Sequence, residues 1–163
     1  HLMLSGDAQL TSGLTLVSVV IDIERIGDYT KNIFDLARRH PKRLNAGSLE
    51  AQLKALEEHT SEVFHNTIEA FRNSDEDLAR QVMGDYKEEI SADSEKMTDD
   101  IIGGAVSDLK SPEAAAVVLY ARFLKRIGSH SRNIATSIVN PFHRIGYNEK
   151  SDKSPGTDVI PPT

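Results

Sequence analysis

At 163 residues with a net charge of −6, the chain has room for one domain and lacks the basic surplus that a nucleic-acid surface needs. It contains no cysteine, which excludes disulfides, thiolate zinc sites and a cysteine nucleophile, and its 6% aromatic content without Trp favours helices over an all-β fold. No run approaches the roughly 20 apolar residues of a membrane-spanning helix; the most apolar stretch, 14–23, is interrupted by Asp22 and followed by Glu24. The opening His1-Leu2-Met3 carries no secretory signal, and residues 1–6 read as a cloning remnant or leading segment.

Four helices are legible in order. Leu16, Val19, Ile23, Ile26, Ile33 and Leu36 keep three- and four-residue spacing, predicting a helix over about 7–39 with that one face buried. Arg38, Arg39 and His40 suit the dipole of its last turn, and Pro41 stops it. Leu49, Leu53, Leu56, Val63, Ile68 and Phe71 stripe a second helix over about 48–72, with Asn45 or Ser48 as its cap. Ser74-Asp75-Glu76-Asp77 opens a third with an acidic first turn. Leu78, Val82, Ile90, Met97 and Ile101 carry it toward residue 109, and Gly103-Gly104 is placed to kink it or end it early. Ser111-Pro112-Glu113 starts the fourth, Ser as cap and Pro at the first helical position, and Asn140-Pro141 breaks it. No segment alternates apolar and polar residues, so the fold class is all-α, and short connections favour an antiparallel helical bundle. Residues 148–163 are polar, contain Pro155, Pro161 and Pro162, and read as a disordered tail.

The ten residues Glu24-Arg25-Ile26-Gly27-Asp28-Tyr29-Thr30-Lys31-Asn32-Ile33 recur in altered form as Lys125-Arg126-Ile127-Gly128-Ser129-His130-Ser131-Arg132-Asn133-Ile134, an offset of 101 positions (126 − 25). Such a repeat indicates copies of one unit. In register, the first helix equals the fourth, so 45–147 is a complete three-helix unit and 7–41 the last helix of a preceding one. A mid-helix glycine costs about 1 kcal/mol against Ala, so its recurrence at Gly27 and Gly128 points to close approach by a neighbouring helix.

Glu24, Asp28 and Asn32 lie at i, i+4 and i+8, a ribbon on one helical face. A cation between the two carboxylates would turn their repulsion into attraction, and oxygen ligands suit Mg, Mn, Fe or Ca. The same spacing also describes a solvated face with Arg25 and Lys31 beside it. Asp85, Glu89 and Asp93 form a second acidic ladder, which alone reads as wet surface and becomes a ligand set only opposite other acids. In the second copy, Lys125 and Ser129 replace the acids, and Lys125 is placed to pair with a third-helix carboxylate instead of a metal. Glu62-x-x-His65 has the spacing of di-iron bundles but occurs once. There is no phosphate-cradling glycine loop and no nucleophile-base arrangement, so an enzyme is not expected.

The motif Glu-Arg-Ile-Gly-Asp-x-x-x-Asn-Ile ends a three-helix unit and occurs twice; in the complete unit it is preceded by 56–71, then Ser74-Asp75-Glu76-Asp77-Leu78-Ala79 and Val82-x-x-Asp85. This pattern resembles the PhoU family of phosphate-regulatory proteins over about residues 14–141. The resemblance implies PhoU-type three-helix units packed side by side, with multinuclear iron or zinc clusters on acidic motifs. Carried over, Glu24 and Asp28 are the matching metal ligands with Asn32 beside them, and Asp85, Glu89 and Asp93 belong to a third-helix set. It also implies a cytoplasmic, non-catalytic regulator of phosphate transport and phosphate-starvation signalling that contacts a phosphate ABC transporter and a membrane sensor histidine kinase. The alternatives are the cytoplasmic PhoU-like domain of a sodium/phosphate symporter and a metal-free helical interaction bundle. The complete unit lacks the acids, and the intact pair sits on a helix without its unit, so a homodimer that supplies helices by exchange is expected.

Overall fold

A computed structural model describes residues 7–40 and 42–148, with side chains from residue 10 onward. The region read as a cloning remnant (1–6) lies outside the described residues, as does the region read as a disordered tail (148–163) apart from Asn148. The elements are α1 (Asp7–Arg39), α2 (Glu50–Asn73), α3 (Glu76–Asp85), α4 (Ala92–Ile102) and α5 (Ser111–Val139), with short 3-10 turns at Gly47–Leu49 and Phe142–Arg144. A wider π-turn, Tyr86–Ser91, joins α3 to α4 in one continuous rod. The described residues therefore form the four helical rods that the periodicity predicts, and none of them is in a strand.

The local chemistry explains most boundaries. Ser74, at φ +50°, closes α2 in the left-handed conformation, and the Asp75 carboxylate accepts the Leu78 N–H at 3.0 Å to start α3. The third rod ends at Ile102 rather than near 109, because Gly104 turns the chain at φ +76°. Two expected caps are not made. Neither Asn45 nor Ser48 caps α2; Asn45 accepts from Gly47 N–H, and Ser48 donates its N–H and hydroxyl to Asp108. Ser111 is already helical, with Lys110 at the cap position and Pro112 in the first turn.

α2, the α3–α4 rod and α5 enclose a core of Leu56, Val63, Val82, Ile90, Met97 and Val117, each essentially out of contact with solvent. Pairings between Thr67 and Ser131 and between Glu57 and Tyr120 run α2 parallel to α5. Those between Gly128 and Tyr86 and between Ala121 and Ser94 run the α3–α4 rod antiparallel to it. α5 is thus the centre of the molecule, and its other side carries α1. The apolar stripe of α1 does not bury as one face: Val19 is 1% exposed, whereas Leu16 and Ile23 are 56% and 55% exposed. The reason is that α1 packs chiefly on α5, so it covers mainly the sector turned toward that neighbour.

Candidate functional site

Glu24 and Asp28 stand on the exposed side of α1, and Asn32 is half-buried. The Asp28 carboxylate accepts from the Arg25 guanidinium at 3.1 Å, one turn away. Arg25, Asp28, Tyr29, Lys31 and Asn32 border a recess of about 380 Å³, so two cations face a single carboxylate there. One turn on, Lys31 donates to Asp35 at 2.7 Å and holds that carboxyl below its ordinary range.

On the third rod, Asp85 and Asp93 are half-buried and Glu89 is exposed. Gln81 donates to Asp85 at 3.4 Å, and Glu89 lies 3.8 Å from His59 Nδ1. The two acidic sets sit on either side of α5 and do not face one another. Among the described residues no three His, Asp or Glu side chains converge to hold a metal ion. Among the described residues, Glu24 and Asp28 therefore have no third carboxylate or imidazole converging with them. In the second copy, Lys125 does what its position suggests: it donates to Glu95, and that contact keeps the Glu95 carboxyl below its usual range.

The repeat brings together a cluster that spacing did not reveal. Asp22 on α1 accepts from the His130 ring at 2.7 Å and from Asn133 Nδ2 at 3.1 Å, with Asp22 and His130 only 13% and 12% exposed. Tyr29 stacks on the His130 ring with centroids 5.8 Å apart, and its hydroxyl accepts from Arg126 Nε at 3.1 Å. His130 Nε2 is buried without a partner. The arrangement obeys the repeat. Adding 101 to Asp22 and Tyr29 gives Phe123 and His130, so the counterpart of the Asp22–His130 contact is Phe123–Tyr29, and those rings lie 6.2 Å apart. α1 and α5 pack antiparallel about a pseudo-two-fold axis, with a polar pair on one side and an aromatic pair on the other. The one signal available in sequence was the shared register of Tyr29 and His130.

The repeated glycines are not equivalent. A Cβ on Gly128 would meet Ile90 and Tyr86 at 3.1 Å, so this glycine admits the π-turn, as its recurrence suggests. A Cβ on Gly27 would meet nothing within 4 Å.

Comparison with known proteins agrees with this architecture. A family model described as the PhoU domain matches residues 53–138, which is 86 of 163 positions (138 − 53 + 1) and takes in α2, the third rod and α5. The chain is also 28% identical over 144 residues to a protein of Xylella fastidiosa (strain 9a5c) named phosphate-specific transport system accessory protein PhoU homolog. That match covers 85% of this chain and 59% of the relative, so the chain spans less than two thirds of the relative's length. No solved structure matches the chain. With the matched residues covering more than half of the sequence and running from the first turn of α2 to the last turn of α5, the chain belongs to the PhoU family.

Proposed function

We propose that this chain is a non-catalytic regulatory part of a phosphate transport system, acting through contacts with a phosphate ABC transporter and with a membrane sensor histidine kinase. The observation that carries the reading is the PhoU-domain match over residues 53–138, supported by a relative whose name is that of a phosphate-transport accessory protein. No helix among the described residues is long and apolar enough to cross a membrane, which suits a protein that works on a membrane partner from one side. In this reading α1 is the last helix of a preceding unit and residues 45–147 are one complete unit, working in the cytoplasm.

A metal role rests on Glu24 and Asp28. A cation held there would draw its remaining ligands from another copy or another segment, because the described residues offer no third acid or histidine nearby. Iron or zinc bound there would screen the two carboxylates and free Asp28 from Arg25.

The test is affinity capture of the tagged chain from membranes containing a phosphate ABC transporter, alongside membranes containing a sodium/phosphate symporter. Retention of the ABC transporter's subunits supports the proposal. Capture by neither membrane, or a parent reading frame with transmembrane helices upstream, turns the reading to the symporter domain or to a plain interaction bundle.

A further inference from the structure

A cavity of about 670 Å³ lies between the end of α1, the segment following it, and the first turns of α2 and α5. Its size is that of small-molecule sites, roughly 300–1,000 Å³. The floor is apolar, made by Ile33, Leu36, Leu44, Leu53, Ala116 and the Tyr120 ring. The rim is cationic, with Lys42, Arg43 and Lys54 around it and His40 closing one edge through its ring contact with the Lys42 carbonyl at 3.1 Å.

This rim belongs to the run Arg38-Arg39-His40-Pro41-Lys42-Arg43, which places four permanent cations in six positions of a chain whose net charge is −6. The carboxylates in the wall are already engaged. Glu50 accepts from Arg43 at 2.9 Å and from the Ala46 N–H at 3.0 Å, and Glu57 is hydrogen-bonded to the Tyr120 hydroxyl. Lys54 lies 3.5 Å from Glu58. Lys42 has no carboxylate partner among the described residues, while Arg38 and Arg39 lie in the field of Asp35.

An apolar chamber with an unneutralised ammonium at its mouth has a definite complement. We propose that this cavity binds a small amphiphile with a single anionic head, its aliphatic body against Leu36, Leu53 and Tyr120 and its carboxylate or phosphate head against Lys42. Burial of the body supplies the affinity, and the rim cation selects the sign of the head. Inorganic phosphate alone would leave the apolar floor unused.

The site is independent of the phosphate-transport reading and is tested separately. Amide spectra of the full chain are recorded during titration with dodecanoate and with dodecyl phosphate, each below its micelle threshold. Decylammonium and inorganic phosphate serve as controls. Shifts are expected at Ile33, Leu36, Leu53 and Tyr120 with one or both anionic amphiphiles, and which of them binds more tightly identifies the head. Lys42→Glu, an exposed position, should weaken binding about tenfold, the worth of one charge-assisted contact. Ala37→Trp, which fills the mouth from an exposed position, should abolish it, and Lys87→Glu on the third rod should leave it unchanged. Equal binding of decylammonium, no binding of either anionic amphiphile, an unaltered affinity in Lys42→Glu, or shifts centred on Leu16, Val20 and Ile23 would each overturn the proposal.

Discussion

The two repeat glycines are the same residue in the same motif, yet their environments oppose one another. Gly128 is pressed by Ile90 and Tyr86, and Ile90 is completely buried with no room to retreat. We expect Gly128→Ala to lose about 1 kcal/mol, overpacking outweighing the better helix propensity of Ala. Gly27→Ala, with open space around its Cβ, should gain up to about 1 kcal/mol from propensity alone. Urea midpoints of the two variants check the opposite signs. Asp108 behaves differently again: its two oxygens accept the Ser48 N–H at 2.7 Å and the Ser48 hydroxyl at 3.1 Å, and the backbone N–H bond chiefly holds the carboxyl below its ordinary 3.8. A folded value below the unfolded one means that the stabilisation is complete above about pH 4 and disappears as pH falls through the folded value. Asp108→Ala should therefore melt earlier than the parent at pH 7, and the gap should close in acid below about pH 4. For Glu24 and Asp28 the measurement is elemental analysis of protein purified without chelator or nickel resin. Bound iron or zinc that is lost in a Glu24→Ala/Asp28→Ala double variant is expected; metal-free protein, with the variant equally stable, would leave these acids as a solvated face.

At the scale of elements, the pairing of α1 with α5 turns on one polar cluster. Asp22 is the common acceptor for His130 and Asn133, so Asp22→Ala strands two half-buried donors and should cost about 1–3 kcal/mol. Changing Asp22→Leu and His130→Phe together should recover part of that loss, since the pseudo-symmetric partner pair, Tyr29 and Phe123, already packs as aromatics. A double-mutant cycle read by denaturation measures the coupling; simple additivity would show that the cluster does not act as a unit. The helix starts and stops near Pro41, Asp75, Pro112 and Asn140 were legible because each acts through chemistry within a few residues. The π-turn at Tyr86–Ser91 was not, because nothing in YKEEIS departs from a helical pattern; the extra residue is accommodated where Tyr86 and Ile90 meet Gly128 on another helix. For the same reason Ser48, a good cap residue by type, was drawn to Asp108 sixty positions away, while Asn45 accepts from the Gly47 N–H two residues on.

For the whole molecule, the outer side of α1 is the feature left uncovered: Leu16, Val17, Val20, Ile21 and Ile23 are each more than half exposed. Contiguous apolar surface of this kind marks an interface. We expect the chain to self-associate through this side, and Leu16→Gln/Val20→Gln/Ile23→Gln to shift it to monomer in sedimentation equilibrium with helix content unchanged; a monomeric mass for the parent would remove the homodimer from the account. Periodicity, caps and the 101-residue repeat determined by themselves the all-α fold class and the four helical rods of the described residues, and they carried the resemblance to its family. They also placed Lys125 where it could replace a metal by an ammonium. What only the tertiary structure decided is which neighbour each face receives: α1 turned Leu16 and Ile23 of its apolar stripe outward, Lys125 chose Glu95, Asp22 met His130, and the two acidic ladders came to rest on opposite sides of α5. The physical reason is that hydrophobic spacing records that a face prefers to leave water, while the partner that covers it is set by packing between residues a hundred positions apart.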